Sequence, residues 1–340
     1  MTDAPFIWFG GKRRVAPIIW DALGDVDHYV EPFFGSGAVL LRRPQKPGCE
    51  TVNDADGLLA NAWRAIKLDP AATAHHAANP VNEADLHARH LWLVNAKTGI
   101  TERLMADPDW FDAKAAGWWM WGINCWIGSG FCSGEGPWIA EGGVFQKRDT
   151  GQGVDRQLPH LGDTGKGVNR KLPHLGDTGK GVNRKLPNGQ REAFLADWFA
   201  ELAERLADVR VACGDWSRIT GPSVLRSAGG VCGVFLDPPY DMDMRTAVYA
   251  NESPCAKDVL AWCEANGSDP SLRIVLAGYD GEHNRLEDQG WRVHAWKTSG
   301  GFGGGRGGRG EENSSKERLW FSPNCLDHVR QRDMFSEAAE

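Results

Sequence analysis

Short apolar runs and helically spaced apolar residues alternate along much of this chain. Val231-Cys232-Gly233-Val234-Phe235-Leu236 is an apolar run of strand length, and it predicts a strand buried on both faces. Shorter runs at Asp27-His28-Tyr29-Val30, Thr51-Val52-Asn53-Asp54 and Val209-Arg210-Val211-Ala212-Cys213 predict further strands. Arg273 to Leu276, Trp291 to Trp296 and Glu317 to Pro323 complete the set. Leu58, Leu59, Ala62, Trp63 and Ile66 fall instead at helical spacing and predict a helix whose apolar residues are core. Ala38-Val39-Leu40-Leu41-Arg42-Arg43, directly after a glycine-rich turn, reads as the start of another helix. Strands interleaved with helices are the pattern of an α/β fold.

Open α/β sheets place their chemistry at the carboxyl ends of strands, so the residues that follow each apolar run carry the functional signal. Asp237-Pro238-Pro239-Tyr240 follows the most apolar strand. Two prolines remove two backbone donors and fix φ, which would hold the Asp237 carboxylate, the Pro238 carbonyl and the Tyr240 ring outward. Two acceptors beside a stacking ring suit a flat base with an exocyclic amino group; a proline-rich turn is the plainer reading of the same residues. Glu31-Pro32-Phe33-Phe34-Gly35-Ser36-Gly37 follows another strand, and Gly35 and Gly37 would let the backbone approach a nucleotide closely. The third glycine of a dinucleotide fingerprint would fall at position 40, which is Leu40, and this argues against a nicotinamide cofactor. Asp54 ends the next strand, where an acid accepts bonds from ribose hydroxyls. Together these residues suit a nucleoside ligand without a pyrophosphate.

Four blocks in this order resemble the Dam-type family of DNA adenine-N6 methyltransferases, which use S-adenosylmethionine. They are Phe6-Ile7-Trp8-Phe9-Gly10-Gly11-Lys12, the loop from Glu31 to Gly37, the acid Asp54, and Asp237 to Tyr240. The resemblance implies a Rossmann-like, mostly parallel methyltransferase sheet with helices on both faces, carrying an inserted helical target-recognition subdomain. It implies a cofactor site made by Trp8, Gly10, Gly11, Lys12, Glu31, Pro32, Phe33, Gly35, Gly37, Asp54, Asp215 and Trp216, with Lys12 on the cofactor's carboxylate and Asp215 on its adenine amino group. Asp237, Pro238, Pro239 and Tyr240 would form the catalytic site, with double-stranded DNA as substrate. The expected product is N6-methyladenine at a defined sequence, made on an adenine flipped out of the helix.

Charge qualifies the DNA expectation. The chain of 340 residues carries net −7, yet residues 147–191 hold ten basic and four acidic side chains, net +6 against −13 for the remainder. Within that segment Gly153 to Lys166 recurs with two differences as Gly167 to Lys180, and a third copy begins at Gly181, a period of 14 residues. The unit is too poor in apolar groups for a solenoid core and reads as a basic arm, with Arg170, Lys171, Arg184 and Lys185 as candidate phosphate contacts. Arg306 and Arg309, in the glycine-rich stretch Gly300 to Gly310, are a second such pair.

The remaining middle crowds Trp110, Trp118, Trp119, Trp121, Trp126 and Trp138 among glycines, and most of these rings are expected in a small helical core. Eight cysteines without a Cys-x-x-Cys pair suggest reduced thiols and no metal. No stretch approaches eighteen uninterrupted apolar residues and no signal pattern opens the chain, so a cytoplasmic protein without a membrane partner is expected, in a bacterial or phage-infected cell by the family's habit. A cognate restriction enzyme is the protein partner such a context admits. The expected division is a cofactor-binding part (1–69), a recognition subdomain (70–145), the repeat insertion (146–190), a catalytic part (191–325) and a tail (326–340). Cytosine-N4 methylation, RNA adenine methylation and a catalytically silent DNA-binding protein are the alternative readings. A cysteine nucleophile at Pro254-Cys255 is disfavoured, because no glycine-rich cofactor loop precedes it at the required distance.

Overall fold

The computed structural model describes residues 3–6, 8, 11–44, 48–126, 131–132, 138–141, 144–147, 188–239, 255–296 and 317–327, with 138–141, 144–147 and 188–190 described by their backbone alone. Two compact units emerge, one of residues 9–54 and 208–340, the other of residues 1–8 and 55–207. The first unit opens with α1 (Ala16–Leu23), β1 (His28–Glu31) and β2 (Cys49–Asp54). The second follows with α2 (Gly57–Leu68), α3 (Pro70–Ala77), α4 (Glu83–Ala106), α5 (Ala113–Cys125), β3 (Trp138–Glu141), β4 (Val144–Lys147) and α6 (Asn188–Leu206). The chain then returns to the first unit as β5 (Val209–Cys213), α7 (Pro222–Leu225), β6 (Cys232–Leu236), α8 (Cys255–Asn266), β7 (Leu272–Tyr279), β8 (Arg292–Ala295) and β9 (Glu317–Phe321).

The first unit is a seven-stranded sheet in the order β5-β2-β1-β6-β7-β9-β8. The five strands from β5 to β7 pair in parallel, while β9 runs antiparallel to both β7 and β8. All five residues of β6 are buried, as its unbroken apolar run requires of a central strand. Alternate residues face opposite ways: Val234, Leu236, Ile274 and Leu276 share a core with Val259 and Cys263 of α8, whereas α1 packs on β6 and β7 from the other side, where Gly233 faces Leu23 and Val26. Helices thus cover both faces of a mostly parallel sheet. From β1 the chain passes outward to β2, and β6 begins the march in the opposite direction to β7, so the order reverses between β1 and β6. Crevices at the carboxyl ends of such a reversal are where open α/β sheets bind ligands.

One sequence expectation fails here. Residues 38–43 do not begin an α-helix; they make a single 3-10 turn at Leu40–Arg42, after which Arg43 is extended at ψ 126°. Pro44 follows directly, and a proline disfavours helical geometry in the residue before it.

The second unit is built from helices whose starts are written in the sequence. Asp56, Asp69, Asn82 and Asp112 each accept a backbone N–H from the first turn of α2, α3, α4 and α5 respectively. Trp63, Trp119 and Trp121 are fully buried, and Phe6 packs against Trp63 and Trp119 at ring centroid distances of 5.4 and 5.0 Å. Trp118 is only half-buried and lies beneath Lys114 and Arg89, so the tryptophan-rich stretch is core in part and cation-covered surface in part. Because α2 and α6 bury their apolar sides against α3 and α5, the compact boundaries fall after Asp54 and before Asp208. The 14-residue repeats lie outside the described residues. No helix among the described residues is long and apolar enough to cross a membrane, and no disulfide joins the eight cysteines.

Candidate active site

The carboxyl ends of β1, β2 and β5 are joined by a small set of buried and partly buried hydrogen bonds. After β1, the amide of Phe34 donates to the Asn53 carbonyl at 2.9 Å, and the amide of Gly35 donates to Asp54 Oδ2 at 3.0 Å. Asn53, only 1% exposed, donates through its side chain to the carbonyls of Pro32 (3.1 Å) and Gly214 (2.9 Å), tying the loop after β1 to the loop after β5. Gly35 and Gly37 have φ of 49° and 65°, the left-handed region that favours glycine. A Cβ on Gly37 would also come within 2.7 Å of the Phe34 ring, so the tightness of this turn depends on that glycine. The result is a glycine turn pinned against Asp54.

On the other side of the reversal, β6 ends at Leu236 and hands the chain to Asp237, Pro238 and Pro239. Lys12, whose carbonyl accepts the amides of Val15 and Ala16 at the start of α1, sends its ammonium to Asp237 Oδ1 at 3.0 Å. The same Nζ lies 3.5 Å from Glu317 Oε2, and the ring of Trp296 lies 5.9 Å from it. Lys12 is 3% exposed, against 19% for the Asp237 side chain and 8% for that of Glu317. Burial works against the lysine's charge, but the carboxylates of Asp237 and Glu317 more than offset it and lift Lys12 above the ordinary value of 10.5. Glu31, 2% exposed at the end of β1, accepts the Tyr29 hydroxyl at 2.9 Å. Burial pushes its carboxyl well above the ordinary range; the bonds from Tyr29 and the Leu40 amide oppose this, and the nearby charge of Asp237 adds to it.

Residues 8–91, which contain Lys12, the glycine turn and Asp54, match the family described as D12 class N6 adenine-specific DNA methyltransferase. Over these residues the chain is similar to that family. No curated protein matches the chain. The match agrees with the Dam-type resemblance read from the sequence and supports DNA adenine-N6 methylation, a transferase activity.

Most of the expected site residues gather at one edge of the sheet unit. Lys12, Glu31, Pro32, Phe33, Gly35, Gly37, Asp54, Asp215, Trp216, Asp237, Pro238 and Pro239 lie at or just beyond strand ends, or before α1, as does Gly11, which is exposed. Phe33 stacks on Trp216 with ring centroids 6.3 Å apart and planes at 27°. Asp215 is exposed and caps the short turn Trp216–Ile219, its Oδ1 accepting the amide of Ser217 at 2.9 Å and the Ser217 hydroxyl. Trp8 falls in the helical unit, 6.4 Å from the Phe6 ring and 5.9 Å from the Trp119 ring. Gly10, Tyr240, Arg170, Lys171, Arg184, Lys185, Arg306 and Arg309 lie outside the described residues.

Two residues of the site escape the sequence motifs. Asn53 stands beside Asp54 as an ordinary strand residue, although a polar side chain within a buried strand is itself a signal of a specific partner. Glu317 opens an apolar strand, and only the antiparallel pairing of that strand reveals its place. Cys255 opens α8 and packs, partly buried, against the apolar core.

Proposed function

We propose that this protein transfers a methyl group from S-adenosylmethionine to the N6 amino group of an adenine flipped out of double-stranded DNA, at a defined sequence. The observation that carries the reading is the position of Asp237: an ion-paired carboxylate at the end of the central buried strand, across the reversal of strand order from the glycine turn.

The donor set fits the cofactor. Asp54 and Asp215, at or just beyond the ends of β2 and β5, offer acceptors for ribose hydroxyls and for an adenine amino group, and the Phe33 and Trp216 rings add apolar surface beside them. When bound, S-adenosylmethionine supplies a methyl group already activated on a sulfonium, so neither a metal nor a covalent enzyme intermediate is required. The protein's task is then placement, and good placement of two reactants is worth roughly 7–11 kcal/mol. Asp237 accepts a hydrogen of the target amino group, with the Pro238 carbonyl as second acceptor and the Tyr240 ring stacked on the base. These bonds draw the nitrogen toward a pyramidal, more nucleophilic form. Lys12, expected from the resemblance on the cofactor's carboxylate, is ion-paired with Asp237 and in this reading orients that carboxylate through its Oδ1. Because none of these groups reaches a base inside a duplex, the adenine is extruded at a cost of a few kcal/mol, which contacts in the pocket recover. Once the methyl group has moved, the amine carries a positive charge and loses a proton to Asp237 or to water.

The basic repeats and the pair Arg306 and Arg309 supply phosphate contacts in this reading, independent of base sequence. The direct test is incubation of unmethylated DNA with labelled S-adenosylmethionine, then nucleoside analysis and sequencing that reads modified bases. N6-methyladenine at one short motif is the expected result. Methylcytosine, or cofactor binding without a product, would overturn it.

A further inference from the structure

Glu317 has no place in the motifs of the sequence, yet the fold carries it to Asp237. Strand β9 is antiparallel to β7, with Glu317 opposite Tyr279, so the first residue of β9 lies at the edge where the parallel strands end. Asp237 leaves that same edge one residue beyond Leu236, which pairs with Leu276 of β7. Lys12 stands between the two carboxylates, 3.0 Å from one and 3.5 Å from the other. The main chain of Glu317 is itself anchored: its carbonyl accepts the Trp296 amide at 3.3 Å and the Arg318 guanidinium at 3.0 Å, while Arg318 pairs with Asp280 at 2.9 Å.

We propose that Glu317 is a positioning residue for methyl transfer, holding Lys12 as a charged clamp on Asp237 and keeping the group's charge negative where the substrate amine becomes cationic. The proposal rests on the methyl-transfer reading above. Its logic is electrostatic. Lys12 paired with Asp237 alone would be a neutral couple, and the carboxylate would offer little to an amine gaining positive charge. Adding Glu317 makes the triad net −1, while Lys12 still fixes the orientation of Asp237. Among the described residues, Glu31 of β1 is a further ionisable group near Asp237; its burial favours the neutral form, so Glu31 is poorly suited to supply the missing charge. Beyond Glu317, the charges of Arg318 and Asp280 face each other. From the side of β8, Lys12 meets the Trp296 ring, a weak attraction that is no substitute for a carboxylate.

Single-turnover methyl transfer measured against pH tests this, using the full-length wild type, Glu317→Gln and Glu317→Asp. Glu317→Gln should lower the transfer rate near neutral pH by about tenfold or more, less than the roughly 10²–10³ lost with a group that touches the reacting atoms, and leave the cofactor dissociation constant within about twofold. Removing one of the two carboxylates that lift Lys12 should also move the alkaline limb of the profile to lower pH. Glu317→Asp keeps the charge on a shorter arm and should fall between the two; it also carries the test should Glu317→Gln fail to fold. A wild-type rate in Glu317→Gln, or a slower rate with an unmoved alkaline limb, would overturn the proposal, the second result marking a purely structural role. Titration of ¹³C-labelled lysine methylenes gives a readout that does not depend on turnover: the Lys12 signal should titrate at lower pH in Glu317→Gln. If the wild type made no N6-methyladenine, the methyl-transfer reading would fall, and this titration would still decide whether Glu317 holds Lys12.

Discussion

Replacing Lys12 with methionine keeps most of the side-chain volume and removes the charge between Asp237 and Glu317. At an effective dielectric of 20, attraction across 3.0 and 3.5 Å amounts to about 5 kcal/mol for each pair. Several kcal/mol of that is offset in the wild type by the cost of burying an ammonium that is 3% exposed. The variant escapes that cost but leaves two carboxylates facing each other without a cation. Measured losses for breaking one side of a buried pair put the net destabilisation at about 3–5 kcal/mol. The pH dependence follows from the direction of the lysine's shift. A pKa raised above 10.5 in the folded state means the contribution is fully present below 10.5 and is lost only as pH rises through the still higher folded value. The gap between wild type and Lys12→Met should therefore stay constant from neutral pH up to about pH 10. Hydrogen exchange of peptides covering β6 and β9 reads the opening free energy of this sheet separately from the helical unit. Unchanged protection in Lys12→Met, or a gap that shrinks steadily between pH 7 and 9, would refute the reasoning.

Asp237→Ala should abolish methyl transfer while cofactor affinity stays within about threefold, as equilibrium binding and labelled-methyl assays would show; equal loss of both would contradict its assignment to the target base. Asn53→Ala removes two hydrogen bonds from a buried side chain and leaves the Pro32 and Gly214 carbonyls without that donor, a cost of about 1–3 kcal/mol. Calorimetry should record the destabilisation, and a raised cofactor dissociation constant would accompany it. Deleting residues 153–180 removes two full repeats with Arg170 and Lys171. The slope of log affinity for DNA against log salt should flatten by about 0.9 for each phosphate that those repeats neutralise, and an unchanged slope would rule the repeats out as a DNA arm.

Local features of this protein follow from its sequence with no reference to the rest of the fold. The buried strand β6 is legible from Cys232 to Leu236 because an apolar run of that length needs cover on both faces, and Asp237 marks its end. The helix from Gly57 is legible from its apolar spacing. Gly35 and Gly37 announce a turn that other residues resist. The helix expected at residues 38–43 fails because the proline at 44 outweighs the apolar content before it, and its steric effect on Arg43 cuts the helix to a single turn. Strand order, the reversal between β1 and β6, and the antiparallel entry of β9 emerge only from the packed molecule. Those choices depend on which strands bury one another's faces, an energy summed over residues distant in sequence. They are also what joins Lys12, Asp237 and Glu317. Lys12 and Asp237 stand out in their own stretches of chain and Glu317 does not, and the low solvent access of the place where the three meet makes their charges depend on one another.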